Sequence, residues 1–490
     1  MKKVSIKKNL ILSTFYQILT LIIPFITAPY ISRVIGSTGV GIYSFTTSIQ
    51  TYFSMFATLG TVSYGAREIA RFRDDEQKRS KLFWEIEFLT ILTSCICLIA
   101  WAILIGLSQE YKIYYIILTM NLFNTMFDIS WFYTGLEQFK YTVTQNSIFK
   151  ILGVILLFIF VKDSNDLSLY IGIMSLTTLL GTMSMWIYLP KFIKKVDFKQ
   201  LKILVHFKET LVYFVPTIAT SIYTVLDKTL IGTITKDANE NGYYEQATKI
   251  INMTKTLTFT SLNSVLGSRI SYLFEEKKYD EIHKKIDTSM NYIFFMGFAI
   301  MFGLLAVSDR FVPLFFGQGY EKVIYLIKIL SPLVIIIGVS NCLGSQYYTP
   351  AGLRAKSAKF IIAGSCINLI LNLILIPKWW SYGACFATII AELTISVLYF
   401  KYCDGYLNLS KLFKFAWKKI LAGLIMFALI VGFKYFNLSD FIIVCLQIIV
   451  GMSSYLTSLI FLKDEFLINI YNEQIKPNIN KIFNKKIGDF

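Results

Sequence analysis

Apolar runs long enough to cross a bilayer, about 20 residues each, follow one another along most of the 490-residue chain, with short polar segments between them. The pattern predicts helices near 10–32, 42–64, 82–107, 113–135, 143–161, 167–189 and 211–234. A second set follows near 243–266, 289–307, 323–347, 359–376, 382–403, 419–436 and 441–462. No long polar stretch interrupts the series, and no period-two alternation marks a strand. The expected fold is therefore an all-α integral membrane protein with about fourteen transmembrane helices. The first run begins behind a basic start and continues to about residue 32 without a small-residue cleavage site, so it is read as a retained helix.

Composition agrees with this reading. The chain is 55% hydrophobic and only 16% charged, against about 25% charged in soluble domains. A net charge of +17 would suit a nucleic-acid binder, but the basic residues lie in the short segments between apolar runs, and no nucleic acid is expected as a partner. Counting from a cytoplasmic N-terminus, the inner segments and the helix ends that border them hold 35 Lys and Arg and the outer loops hold seven (Arg33, Lys112, Lys162, Lys236, Arg310, Lys322 and Lys378). Basic residues collect on the cytoplasmic side, so both termini are expected inside, in a cytoplasmic membrane. Every outer loop is short, which leaves no place for an extracytoplasmic catalytic domain. The protein is expected to be a transporter and not an enzyme. The seven cysteines fall in apolar runs and the two histidines, His206 and His283, lie far apart. No metal site and no cofactor are expected.

A weak internal repeat divides the helices. Pro24, Gly41-x-Tyr43 and Arg67 are echoed by Pro216, Gly242-x-Tyr244 and Arg269, and Tyr133-Thr134-Gly135-Leu136 is echoed by Tyr348-Thr349-Pro350-Ala351-Gly352-Leu353. Each echo lies six helices on, and substrate sites of many transporters lie between such repeats. The expected organisation is an N-terminal bundle over 1–208, a second six-helix bundle in pseudo-twofold relation over 209–403, two further helices over 404–462, and a basic tail over 463–490.

Charges inside a bilayer cost several kcal/mol unless they face a cavity or a partner, so they are candidates for function. The seventh and eighth spans are the most polar pair, with Asp227, Lys228, Glu245, Lys249, Asn252 and Lys255. Depth alone allows an Asp227–Lys249 ion pair, and i,i+4 spacing allows Glu245–Lys249 instead. Lys255, near the midplane, is the strongest candidate for contact with an anionic substrate. Arg33 and Lys328 sit near outer helix ends, where snorkelling to the headgroups is expected. Asn368 and Asn372 share a face of the eleventh span, and Glu392 lies in the twelfth; a carboxylate beside amide oxygens can hold Na+ or a proton, or simply form an interhelical hydrogen bond. Asp128 and Lys150 stay open between function and packing. Trp131, Trp186, Trp379 and Trp380, near helix ends, are expected to be interfacial anchors.

The segments Arg33-Val34-Ile35-Gly36, Gly41-Ile42-Tyr43-Ser44-Phe45, Leu59-Gly60 and Tyr64-Gly65-Ala66-Arg67-Glu68-Ile69-Ala70-Arg71 resemble the first repeat of bacterial polysaccharide repeat-unit flippases of the Wzx type. Leu226-Asp227-Lys228-Thr229-Leu230-Ile231-Gly232 and Tyr133-Thr134-Gly135-Leu136-Glu137-Gln138-Phe139-Lys140 resemble two further patterns of that family. The family belongs to the multidrug, oligosaccharidyl-lipid and polysaccharide exporter superfamily. The resemblance implies two bundles around a central cavity that opens alternately to each side. It also implies an undecaprenyl-diphosphate-linked oligosaccharide as cargo, for capsule, O-antigen or similar surface polysaccharide, with the polymerase and glycosyltransferases of the same pathway as partners. Arg33, Lys228, Lys249, Asn252 and Lys255 are then the expected substrate contacts. Asp227, Asn368, Asn372 and Glu392 loosely resemble the cation site of lipid II flippases, which implies Na+ or H+ as a coupling ion. Two other readings compete: a multidrug antiporter of the same superfamily, which the lysine excess disfavours, and a polysaccharide polymerase, which the short outer loops disfavour.

Overall fold

The computed structural model describes the backbone of residues 6–470 and 472. Side chains at 6–8, 10, 11, 13, 215–217, 219–224, 257, 260–265, 267 and 268 stand outside that description, as does the predicted tail beyond Ile470 apart from Asn472. Pro216 is thereby outside the described side chains.

The described residues contain helices and no strand. In chain order the α-helices are α1 (Ile6–Thr58), α2 (Thr61–Arg71), α3 (Glu76–Leu107), α4 (Lys112–Met126), α5 (Ser130–Gly135), α6 (Phe139–Phe160) and α7 (Leu167–Met185). They continue as α8 (Val205–Thr235), α9 (Ala238–Lys255), α10 (Ser261–Glu275), α11 (Tyr279–Phe316), α12 (Glu321–Leu330) and α13 (Leu333–Leu343). The last are α14 (Arg354–Lys401), α15 (Leu409–Val431), α16 (Asp440–Phe461) and α17 (Glu465–Ile470). Every predicted span is helical over most of its length, but three are broken: 42–64 between α1 and α2, 113–135 between α4 and α5, and 323–347 between α12 and α13, while 243–266 passes through the π-helical turn Thr256–Thr260 into α10. Among the described residues, eight helices are long and apolar enough to cross a membrane, or nine with the bent α12–α13 pair.

Two of the longest elements are folded pairs. α1 breaks at Gly36 (φ 68°, ψ 178°), the position between the first two predicted spans, where glycine alone takes this backbone without strain. α14 breaks at Trp380 (φ 54°, ψ −129°). A Cβ on Gly383 would lie 2.5 Å from the Leu375 carbonyl, and one on Gly364 would lie 2.3 Å from Ile395 Cγ1. In one continuous helix residues 375 and 383 are about 12 Å apart. α14 is therefore an antiparallel helical hairpin whose two glycines let its arms touch, as small residues do where membrane helices pack.

The chain divides into two compact units, Met1–Glu245 and Gln246–Phe490. The sequence reading drew that division at residue 208, in the basic loop. In the structure α8 packs along α1, α2 and α3, and so belongs with the first unit. The core of that unit is aromatic: Phe83, Trp131, Phe132 and Tyr133 are all buried, with Phe83 and Trp131 stacked at 5.6 Å. Trp131 is 1% exposed and is a core residue, not an interfacial anchor; the edge of its ring lies where a side chain on Gly65 would have to go. Trp379 and Trp380 are exposed.

The second unit closes around α11, which packs on α13, α15 and α16. α11 and α15 each start about ten residues before their predicted spans, because a helix can continue past the hydrocarbon while hydropathy sees only the apolar part. Those polar extensions are tied together by Lys411–Asp287 at 2.9 Å. Lys419 is 1% exposed and holds Asp464 at 3.0 Å, while Asn291 accepts a further bond from it at 3.1 Å.

The repeat is visible in backbone detail. The N–H of Gln138 donates to the Tyr133 carbonyl at 2.8 Å, and that of Leu353 to the Tyr348 carbonyl at 2.8 Å. Between them Glu137 (φ 58°) and Gly352 (φ 76°) occupy the same left-handed position, so each motif is a six-to-one helix cap of the Schellman kind. The tyrosine hydroxyls also match: Tyr133 donates to the Met185 carbonyl at 2.7 Å and Tyr348 to the Tyr402 carbonyl at 2.5 Å.

Candidate functional site

The first cluster of predicted residues forms where α8 turns back into the first residues of α9. The turn is made at Lys236 (φ 53°), with the Asp237 carboxylate accepting the Asn239 N–H at 2.9 Å. The resulting antiparallel register sets Glu245 level with Lys228, and the two pair at 2.6 Å with side chains 17% and 27% exposed. Depth along each helix did not reveal this pair, because depth carries no information on helix rotation. Ser44 of α1 donates to the same carboxylate at 3.0 Å. Asp227 is 4% exposed and accepts a short hydrogen bond from Tyr244. Asn241 donates to the Lys228 carbonyl at 2.9 Å, and Ser48 meets Thr229 at 2.9 Å. Lys228 and Glu245 thus compensate one another within the span, beside the buried Asp227 and several hydroxyls.

The repeat explains how α1 and α9 come so close. Ser37-x-x-x-Gly41 and Ala238-x-x-x-Gly242 are both small-residue pairs at the spacing that lets membrane helices cross closely. A Cβ on Gly41 would meet the Ala238 carbonyl oxygen at 1.7 Å, and one on Gly242 the Ser37 carbonyl oxygen at 2.1 Å. Each glycine thus faces the residue four positions before the other, the reciprocity expected of a twofold contact. Asn239 Oδ1 accepts from the hydroxyls of Ser37 at 2.7 Å and Thr38 at 2.8 Å. Arg33 is exposed on the same helix.

The second cluster lies in the second unit. Lys255 is the last residue of α9 before the π-helical turn Thr256–Thr260; such turns interrupt the ordinary ladder and often mark functional positions. Its ammonium donates to Asn252 Oδ1 at 3.2 Å, an i−3 partner that the sequence reading had not assigned to it. The charge of Glu392 also acts on Lys255. Glu392 is 4% exposed, and the α14 hairpin register, 364 against 391–395, brings it to the level of Asn368. Asn368 and Asn372 are wholly buried, and Asn372 Nδ2 donates to Asn368 Oδ1 at 3.0 Å. Lys255, Asn252, Glu392, Asn368 and Asn372 thus all belong to the second unit. Asp227 and Lys228 belong to the other, and Lys249 sits half-buried on α9, past the division.

Sequence reasoning missed a polar interior in the first unit. A cavity of about 200 Å³ is lined by Asp128, Lys150, Asn124, Asn146 and Thr182, among others. The nearby Glu87 in α3 is 0% exposed, and neither of its carboxylate oxygens has a hydrogen-bond partner among the described residues. Two glutamates, Glu85 and Glu87, in the third predicted span were the signal available. Two residues earlier in α3, Glu85 accepts from the Lys202 N–H at 2.8 Å and meets His206 at 3.0 Å, and His206 meets the Tyr64 hydroxyl at 2.7 Å.

Comparison with known proteins follows from this geometry. The chain is 25% identical over 402 residues to a putative O-antigen transporter of Escherichia coli K12, covering 81% of this chain and 96% of that protein. It is 25% identical over 272 residues to a probable low-salt glycan biosynthesis flippase of Haloferax volcanii, covering 54% of this chain and 55% of that one. Among solved structures it shares the fold of the lipid II flippase MurJ in an inward closed conformation, with a TM-score of 0.72 at 20% identity over 93% of this chain and 99% of that one. The model of one family, described as polysaccharide biosynthesis protein, matches residues 6–274. That match spans more than half of the chain, and with it this multi-pass membrane protein belongs to the polysaccharide biosynthesis protein family.

Proposed function

We propose that the protein is a flippase that carries undecaprenyl-diphosphate-linked oligosaccharide repeat units from the cytoplasmic to the outer leaflet by alternating access, for surface polysaccharide such as capsule or O-antigen. The observation that carries this reading is the 402-residue alignment with an O-antigen transporter, which takes in nearly the whole of that protein. The chemistry of the second cluster supports it. A diphosphate needs a cation in a low-dielectric setting, and Lys255 supplies one within the eighth span, its ammonium held by the Asn252 amide at 3.2 Å. Arg33, Lys228, Lys249 and Asn252 are the further substrate contacts under this proposal. The orientation belongs to it too: both termini inside, in the cytoplasmic membrane, where the pathway's glycosyltransferases and polymerase would be its partners.

Coupling is part of the same reading. Glu392 and an anionic substrate compete for the charge of Lys255, so a diphosphate at Lys255 releases the carboxylate to take up Na+ or a proton beside Asn368 and Asn372. Asp227 is the candidate coupling residue of the first unit. The test is complementation of a deletion strain. Lys255→Ala should abolish most surface polysaccharide while the protein stays in the membrane at normal abundance, and Lys255→Arg should restore much of it. Normal polysaccharide in Lys255→Ala, and in its combination with Lys249→Ala, would overturn the cationic-site mechanism.

A further inference from the structure

A groove of about 900 Å³ lies at the apex of the α14 hairpin, in the second unit. Its mouth is about 18 Å along either arm from Asn368 and Glu392; its lower end, at Leu371 and Ile390, approaches their level on the outer face of the hairpin, where Ile390 is exposed while Asn368 and Glu392 are buried. Its mouth carries two cations, Lys322 and Lys378, and no carboxylate lines it. Lys322 is set over the mouth by two rings, its ammonium 4.7 Å from the Tyr382 centroid and 5.5 Å from that of Trp380. Trp380 turns outward because the close contact of Gly383 with Leu375 forces a sharp reversal there, and the reversal is made on a left-handed φ that a tryptophan adopts only under constraint.

Below the mouth the groove is apolar. Leu371 and Leu375 line it from one arm and Phe386 and Ile390 from the other, each pair on one helix face by i,i+4 spacing. From Trp380 to Ile390 the strip runs about 15 Å, the reach of most of an acyl chain. Aromatic rings and lysines at one end of an apolar slot are the arrangement that receives a lipid whose head is anionic and whose tail is hydrocarbon.

We propose that this groove is a binding site for an anionic phospholipid of the surrounding bilayer. Its phosphate lies on Lys322 and Lys378 and a chain lies along Leu371, Leu375, Phe386 and Ile390. A neutral lipid would gain nothing from the two lysines.

The full-length protein, purified and exposed to phosphatidylglycerol or to phosphatidylcholine of the same chains, tests the site by native mass spectrometry. The wild type should retain phosphatidylglycerol in preference to phosphatidylcholine. Lys322→Gln with Lys378→Gln should weaken that preference about 30-fold, from the loss of two lysines at the membrane surface. The Lys→Arg pair should keep it. Should the double variant fold poorly by melting temperature, Lys378→Gln alone, at an exposed position, must still weaken it. Equal retention of the two lipids by the wild type, or an unchanged preference in the Gln variants, would overturn the proposal. So would preferential capture of undecaprenyl phosphate over phosphatidylglycerol, which would assign the groove to the carrier lipid.

Discussion

Replacing Gly41 by alanine is the sharpest perturbation of the helix crossing in the first unit. The added Cβ would sit 1.7 Å from the Ala238 carbonyl oxygen, whereas a carbon meets an oxygen at about 3.3 Å. The two backbones must therefore part by about 1.6 Å, and overpacking of this kind costs about 1–3 kcal/mol. The same separation pulls Ser37 and Thr38 away from Asn239, whose carbonyl oxygen accepts from them at 2.7 and 2.8 Å; each lost bond is worth about 1 kcal/mol. The expected destabilisation is about 3–5 kcal/mol in all. Gly242→Ala, at 2.1 Å from the Ser37 carbonyl oxygen, should act in the same direction. Gly106→Ala is the control: nothing lies within 4 Å of its added Cβ, and a helical alanine there should be neutral or stabilising by up to about 1 kcal/mol. Thermal unfolding of the purified protein, followed by tryptophan fluorescence, measures all three. A Gly41→Ala protein that melts with the wild type would refute the reciprocal small-residue contact.

Other expectations follow from single contacts. Lys228→Ala should destabilise more than Lys228→Ala combined with Glu245→Ala, because the single change removes the cation at 2.6 Å from Glu245 and keeps the carboxylate's desolvation cost; a double-mutant cycle on the melting curves reads the difference. Glu392→Gln should remove the dependence of transport on a Na+ or H+ gradient while leaving substrate retention intact, and a gradient-dependent variant would exclude Glu392 from coupling. At the start of α3 the backbone N–H of Lys78 holds the Asp75 carboxyl below its ordinary range. That cap is in place above the ordinary carboxylate pKa and is lost only as pH falls through the depressed value. Protection from hydrogen exchange at the first turn of α3, taken against the intrinsic rate at each pH, should therefore fall in acid for the wild type and be already lowered at neutral pH in Asp75→Ala.

Much of the fold was legible because the bilayer demands long apolar runs and self-satisfied backbones. Each predicted span is mostly helical, and the breaks at Gly36 and Trp380 fell between predicted spans, whereas those after Thr58, Met126 and Leu330 fell inside them. Partner choice was less legible. Asp227, Lys228, Glu245 and Lys249 were recognised as intramembrane charges, yet the Lys228–Glu245 pair depends on a turn at Lys236 whose register no hydropathy profile contains. The echo at Tyr133 and Tyr348 was seen as letters; its meaning, a matching cap with Glu137 and Gly352 in one conformation, needed the backbone. Trp131 looked like a belt residue because position relative to a helix end says nothing of which side it faces. Glu87 and the Asp128–Lys150 cavity were overlooked or left open, since single polar residues in separate spans become a site only when the bundle is assembled.

The central claim, that this chain moves a lipid-linked glycan across the membrane, is tested most directly by the leaflet in which the intermediate accumulates. In a strain lacking the protein, the lipid-linked repeat unit should collect in the cytoplasmic leaflet, inaccessible to an external glycosidase or lectin in intact cells and exposed in inverted vesicles. Repeat units accumulating singly in the outer leaflet of that strain would contradict the account and place the protein after translocation, at polymerisation.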